Sequence, residues 1–102
     1  MEIINEANFK EKIAKGVVLV DFFATWCGPC RMMAPVLESV KQELGDAVEI
    51  YKVDVDESED LARQYGIMSI PSLFVFVNGE EKEHSVGLID KNRAVTLLKK
   101  YL

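Results

Sequence analysis

The stretch Val17-Val18-Leu19-Val20-Asp21-Phe22-Phe23-Ala24-Thr25-Trp26-Cys27-Gly28-Pro29-Cys30 changes character halfway along, and that change decides the fold. Its first part, Val17–Phe23, is a continuous apolar run interrupted by one charge, Asp21. Such a run suits a central strand covered on both faces. From about Gly28 to Leu44 the period becomes helical, with Met33, Val36, Leu37, Val40 and Leu44 forming an apolar stripe and Gly45 the stop. Pro35 lies inside this helix, where a missing N–H and a bulky ring predict a kink. A buried strand therefore feeds a long helix, and two cysteines sit at the junction.

Working outward, strand and helix patterns alternate. Ile3-Ile4 reads as a short first strand. Asn5 can cap a helix through Ala14, with Phe9 and Ile13 on one face and Gly16 at its end. Val48, Ile50 and the residues to Val55 form the next strand. Asp56-x-x-Glu59 resembles a capping box opening a helix to Tyr65, ended by Gly66. Ser72–Val77 is another buried strand, and Asn78-Gly79 is a strong hairpin signal. Glu81–Val86 is polar and reads as an edge strand. Asp90 caps a last helix carrying Val95, Leu98 and Leu102. Crossover helices imply parallel pairing early in the chain, and the hairpin implies antiparallel pairing late. The expected product is an α/β fold: a three-layer α/β/α sandwich with a central mixed five-stranded sheet.

The 102 residues fit one domain, 1–102, and about half of them, 49%, are hydrophobic. A net charge of -5 with scattered basic residues argues against nucleic acid, which needs a clustered positive face. The first fifteen residues lack the basic-then-apolar order of a secretory signal, and no apolar run is long enough to span a bilayer. The expectation is a cytoplasmic protein with no membrane partner.

Cys27 and Cys30 are the only cysteines. A bridge closing so short a loop removes little chain entropy, so a purely structural disulfide would be poorly placed. In a reducing compartment the spacing suggests redox chemistry or half a metal site. Placement at a helix start favours redox chemistry. The first-turn N–H groups are unpaired and partly positive, so they stabilise a thiolate, the attacking species. Gly28 and Pro29 suit the turn. Cys27, at the helix mouth, is expected to be the exposed nucleophile. Cys30, a turn further in, is expected to be buried and to resolve the mixed disulfide. Two plainer readings compete. An inert core pair fits poorly with Trp26, Gly28 and Pro29 around it. Zinc usually needs four ligands, and His84 is the only histidine. No metal and no cofactor are therefore expected, and His84 reads as a solvated residue on the edge strand.

Asp21, mid-strand among apolar neighbours, is costly to ionise, so its pKa is expected to rise. Folded-state stability should then fall as pH rises between the unfolded and folded pKa.

The segment Val20 to Pro35, with its Trp26-Cys27-Gly28-Pro29-Cys30 core, resembles the active-site segment of the thioredoxin family. The likeness continues through Lys52-Val53-Asp54-Val55-Asp56, Tyr65-Gly66-Ile67, Ser69-Ile70-Pro71-Ser72, Asn78-Gly79 and Val86-Gly87, nearly the whole chain in order. It departs at Phe23, where many members carry a second tryptophan, and at Arg31, which replaces a common lysine. The resemblance implies that Asp21 accepts the proton of Cys30 and that Lys52 tunes Asp21. It implies a cis Ile70–Pro71 bond facing the cysteines, and a kink at Pro35 that aims them. It also implies an apolar surface of Trp26, Gly28, Pro29, Ile70, Pro71, Val86 and Gly87 that takes a substrate chain. The implied activity is reduction of disulfide-containing protein substrates by a monomer that a thioredoxin reductase recharges. Two other readings stay open: an oxidase or isomerase of an exported compartment, and a binding subunit that uses the apolar patch without turnover.

Overall fold

The computed structural model describes Met1–Leu102. The strands are β1 (Glu2–Ile3), β2 (Val17–Phe23), β3 (Val48–Asp54), β4 (Ser72–Val77) and β5 (Glu80–Val86). The helices are α1 (Phe9–Ile13), α2 (Gly28–Leu44), α3 (Glu59–Gln64) and α4 (Lys91–Lys99), with a short 3-10 turn at Gly45–Ala47. The sheet order is β1-β3-β2-β4-β5. β1 and β2 run parallel to β3, while β2–β4 and β4–β5 are antiparallel.

β2 is the centre, and all seven of its residues are buried. Alternation sends its side chains to opposite faces. Val17 and Leu19 join Ile50, Leu73 and Val75 beneath Met33, Leu37 and Val40 of α2 and Val95 and Leu98 of α4. Val18, Val20 and Phe22 join Val53, Phe74 and Phe76 beneath Phe9 and Ile13 of α1 and Leu61 of α3. These two cores, one on each face, make the three-layer α/β/α sandwich. The second is aromatic-rich: Tyr65 packs at centroid distances of 5.3–5.8 Å against Phe9, Phe22, Phe74 and Phe76.

The Asn78-Gly79 hairpin has both residues at positive φ, 51° and 85°, as a two-residue turn of this hand requires. Asn78 Oδ1 accepts the Gly16 N–H at 2.9 Å and the Asn78 N–H donates to Gly16 O at 3.0 Å. The hairpin is thereby tied to the residue that opens β2.

The observed elements differ from expectation at several ends, some by a single residue. The α1 helix starts at Phe9, because Asn5 and Asn8 engage their side chains in local turns: Asn5 Oδ1 accepts from Ala7 N–H and Asn8 Oδ1 from Asn5 N–H. α3 starts at Glu59 with no side-chain cap, so Asp56 forms no capping box. β1 ends at Ile3, although the Ile4 N–H still reaches Lys52 O at 2.8 Å. Leu102 lies beyond α4 and is 54% exposed, so Ala94 and Leu97 complete that helix's buried face instead.

Leu37 is fully buried between α2 and the sheet. Leu37→Ala should lower stability by about 2–5 kcal/mol, whereas Leu102→Ala should cost under about 0.5 kcal/mol. Urea melts giving equal losses for the two would contradict this packing.

Candidate active site

β2 delivers the chain to Ala24, and the Cys27 N–H donates back to Ala24 O at 3.2 Å, closing the turn. Cys27 is then the N-cap of α2, with extended backbone at φ -87°, ψ 116° and Pro29 in the first turn. Its sulfur accepts the Cys30 N–H at 3.2 Å, the position where a serine or aspartate oxygen normally caps a helix. An orphan first-turn N–H thus points at sulfur, at the positive end of a 17-residue helix. The two sulfurs are bonded to each other across a Cα–Cα distance of 5.2 Å.

The expected contrast in exposure is not present. Cys27 is 5% exposed and Cys30 2%, both packed with Phe23 and Ala24 in a small cluster of their own. What distinguishes them is position: Cys27 caps the helix from outside, and Cys30 lies within its first turn. A surface cavity of about 330 Å³, lined by Phe23, Ala24, Thr25, Cys30, Arg31, Ala34 and Lys52, reaches the Cys30 side. Arg31 is held there by donating to Thr25 O from Nε at 3.3 Å and from a terminal nitrogen at 3.2 Å.

Asp21 is fully buried, and neither carboxylate oxygen has a hydrogen-bond partner. By alternation it shares the β2 face of Val17 and Leu19, toward α2. In register it lies beside Lys52 on β3 and opposite Leu73 on β4. Burial pushes its carboxyl from the ordinary 3.8 up to about 7, and the Lys52 charge offsets part of that rise. The Lys52 ammonium sits 4.1 Å from the Phe23 ring centroid and makes no ion pair within 4 Å.

Opposite the cysteines, the Ile70–Pro71 bond is cis. The Ile70 carbonyl oxygen lies 3.9 Å from Cys27 Sγ. The Gly87 N–H donates to Pro71 O at 2.8 Å, which ties the segment after β5 to this loop. Gly87 has φ +92°, and a Cβ there would meet nothing within 4 Å. Backbone conformation, rather than crowding in this state, requires its glycine.

Trp26 is 66% exposed, and its Nε1–H donates to Asp56 Oδ2 at 2.8 Å. Asp56 is the residue expected to cap α3; its own N–H is engaged by Asp54 Oδ1 at 2.9 Å. Val86 is exposed as well. Met32, Met68 and Leu88 are exposed hydrophobics that sequence reading did not single out. For Met32 a signal existed: it falls outside the α2 stripe of Met33, Val36, Leu37, Val40 and Leu44. His84 lies on β5 and stacks on Phe74 at 4.0 Å, a ring that belongs to the core beneath α1 and α3 rather than the one beneath α2. No three His, Cys, Asp or Glu side chains converge to hold a metal ion, and no helix is long and apolar enough to cross a membrane.

Comparison with known proteins places this geometry among relatives. The family model described as thioredoxin matches residues 1–100. The chain is 50% identical over 97 residues to thioredoxin of Bacillus subtilis, covering 95% of this chain and 93% of that protein. It is 48% identical over 101 residues to thioredoxin of Chlamydia trachomatis, covering 99% and 98%. A solved structure of a mutant thioredoxin from Halobacterium salinarum superposes with a TM-score of 0.90 at 35% identity, covering 99% of this chain and 88% of that one.

The buried Asp21 has a stability consequence. A carboxyl that holds its proton longer folded than unfolded adds stability below the ordinary aspartate pKa. That contribution is lost as pH rises from about 4 through about 7. Asp21→Asn should match the parent near pH 4 and exceed it at pH 8 by roughly 2–4 kcal/mol. Urea melts at both pH values test this, and a variant less stable than the parent at pH 8 would overturn it.

Proposed function

The chain belongs to the thioredoxin family, and from that premise we propose the roles its residues take in reducing protein disulfides. It is a thiol–disulfide oxidoreductase working by dithiol–disulfide exchange through Cys27 and Cys30. The assignment of roles rests on one observation: the Cys27 sulfur caps α2 and accepts the Cys30 N–H. The same donor and helix end stabilise negative charge on Cys27 sulfur once the pair is reduced.

Cys27 attacks first. Its thiolate forms a bond to one sulfur of a substrate disulfide, and the other substrate sulfur leaves and takes up a proton. Cys30 gives its proton to Asp21 and attacks the Cys27 sulfur. The second substrate thiol departs and the Cys27–Cys30 disulfide remains. Asp21 suits a proton acceptor because burial holds its carboxyl near 7, where it accepts and returns a proton at neutral pH. Lys52, its neighbour in register, limits that rise and is a positioning residue. Gly28 and Pro29 shape the turn between the cysteines.

The substrate backbone lies against the cis Ile70–Pro71 segment, pairing with Ile70 as an added strand would. Trp26, Val86 and Gly87 flank it. Proteins with accessible disulfides are the substrates, and a thioredoxin reductase returns the pair to the dithiol. The protein works as a monomer in the cytoplasm, where such a reductase operates and disulfides do not persist.

Cys27→Ser should abolish reduction of a protein disulfide, while Cys30→Ser should accumulate a mixed disulfide with the substrate, seen as a covalent adduct on a non-reducing gel. Equal behaviour of the two variants would reject the roles. In stopped-flow traces Asp21→Asn should slow release of the trapped substrate about tenfold or more and remove an inflection near pH 7. An unchanged rate profile would remove Asp21 from the proton path.

A further inference from the structure

Of the eight large hydrophobic side chains that the fold leaves exposed, five, Trp26, Met32, Met68, Val86 and Leu88, belong to segments framing the cysteine pair. Two of these are methionines, from different elements. Met68 is 96% exposed and stands two residues before Ile70, whose carbonyl oxygen lies 3.9 Å from the Cys27 sulfur. Met32 is 60% exposed and stands two residues after Cys30. It lines a groove of about 340 Å³ with Val36, Leu88, Ile89 and Asp90, continuous in sequence with Val86 and Gly87. Met33, next to Met32, is fully buried in the core beneath α2 and supplies a control of identical chemistry.

A thioether open to solvent is readily oxidised, and its sulfoxide is polar where the methionine was apolar. We propose that Met68 and Met32 are sites of reversible oxidation by hydroperoxides, and that their sulfoxides weaken docking of protein substrates while sparing the dithiol chemistry. The proposal rests on the docking face proposed above and places Met68 and Met32 at its edge. In the step, the thioether sulfur gives two electrons to the peroxide. A sulfur–oxygen bond forms, the O–O bond breaks, and the departing oxygen takes up the proton released by the transferred oxygen and leaves as water or an alcohol. The Cys27–Cys30 disulfide survives this treatment because it has no thiolate to attack the peroxide. A sulfoxide at the face must be desolvated when a substrate covers it and finds no designed partner, so binding weakens. A small aromatic disulfide, which needs only the sulfur, is little affected.

The test uses the full chain in its disulfide form, treated with hydrogen peroxide, quenched with catalase and then reduced. Peptide mass mapping should show one added oxygen on Met68 and on Met32 before any on Met33. The KM for insulin should rise about three- to tenfold at unchanged kcat, with the rate on 5,5′-dithiobis(2-nitrobenzoate) within about twofold. Methionine sulfoxide reductases of both epimer specificities should restore the KM. In Met32→Leu/Met68→Leu the ratio of treated to untreated KM should be one, which separates these sites from the exposed Met1. Oxidation of Met33 at the same rate, an unchanged insulin KM with both sites converted, or an equal rise in the double variant would each overturn the proposal. Val86→Asp serves as the check on the face itself. If it raises the insulin KM while sulfoxidation does not, the modification proposal alone fails; if neither does, the docking face is wrong.

Discussion

A sulfur atom occupies the place where a helix ordinarily takes an oxygen. At the start of α2 the Cys30 N–H has no carbonyl to receive it, and Cys27 Sγ is the acceptor at 3.2 Å. That single contact requires a strand ending at Phe23, a tight return to Ala24 and a proline that opens the helix without needing a donor. It also requires β2 to be held rigidly, which the sheet achieves by burying all seven residues between two helical layers. The cysteine environment is therefore set by the best-packed part of the molecule, and the loops opposite need only close over it.

Asp21 shows the cost of that arrangement. The strand that fixes the cysteines also carries a carboxylate with no hydrogen-bond partner into a core of Val, Leu and Met side chains. Unpaired buried carboxylates are disfavoured unless they stay protonated. Lys52 softens the penalty only in part, since its ammonium faces the Phe23 ring and forms no ion pair with Asp21. A buried, unpartnered carboxyl that weakens the fold at neutral pH is the pattern expected of a group kept for chemistry, and it fits the proton-accepting role proposed for Asp21.

Much of this is legible in the sequence because its causes are local. The apolar run of β2, the stripe of α2, the Asp90 cap, which accepts from Arg93 N–H at 2.8 Å, and the Asn78-Gly79 turn all follow from short-range rules. Asp56 misleads because a capping box is also a short-range rule. The structure instead gives its carboxylate to Trp26, thirty residues away in sequence. Leu102 has helical spacing but no helix beneath it, since α4 ends at Lys99. The near-equal burial of Cys27 and Cys30 is beyond a pattern that sees spacing but not the Ile70 loop laid over them. Met68 and Leu88 belong to irregular segments, where no period distinguishes an outward hydrophobic residue from an inward one.

The hydrogen bond from the Gly87 N–H to Pro71 O joins two segments sixteen residues apart. In the proposed substrate-binding face, each contributes part of the rim beside Cys27. Because the bond is between backbone groups, it persists through most side-chain changes in either loop, yet any insertion that shifts one loop drags the other. The two loops therefore behave as one transplantable unit. On the proposed reading that this rim takes the substrate, target preference borrowed from another member of the family would have to be grafted as both loops together, and a chimaera carrying only one would inherit a rim whose halves no longer meet.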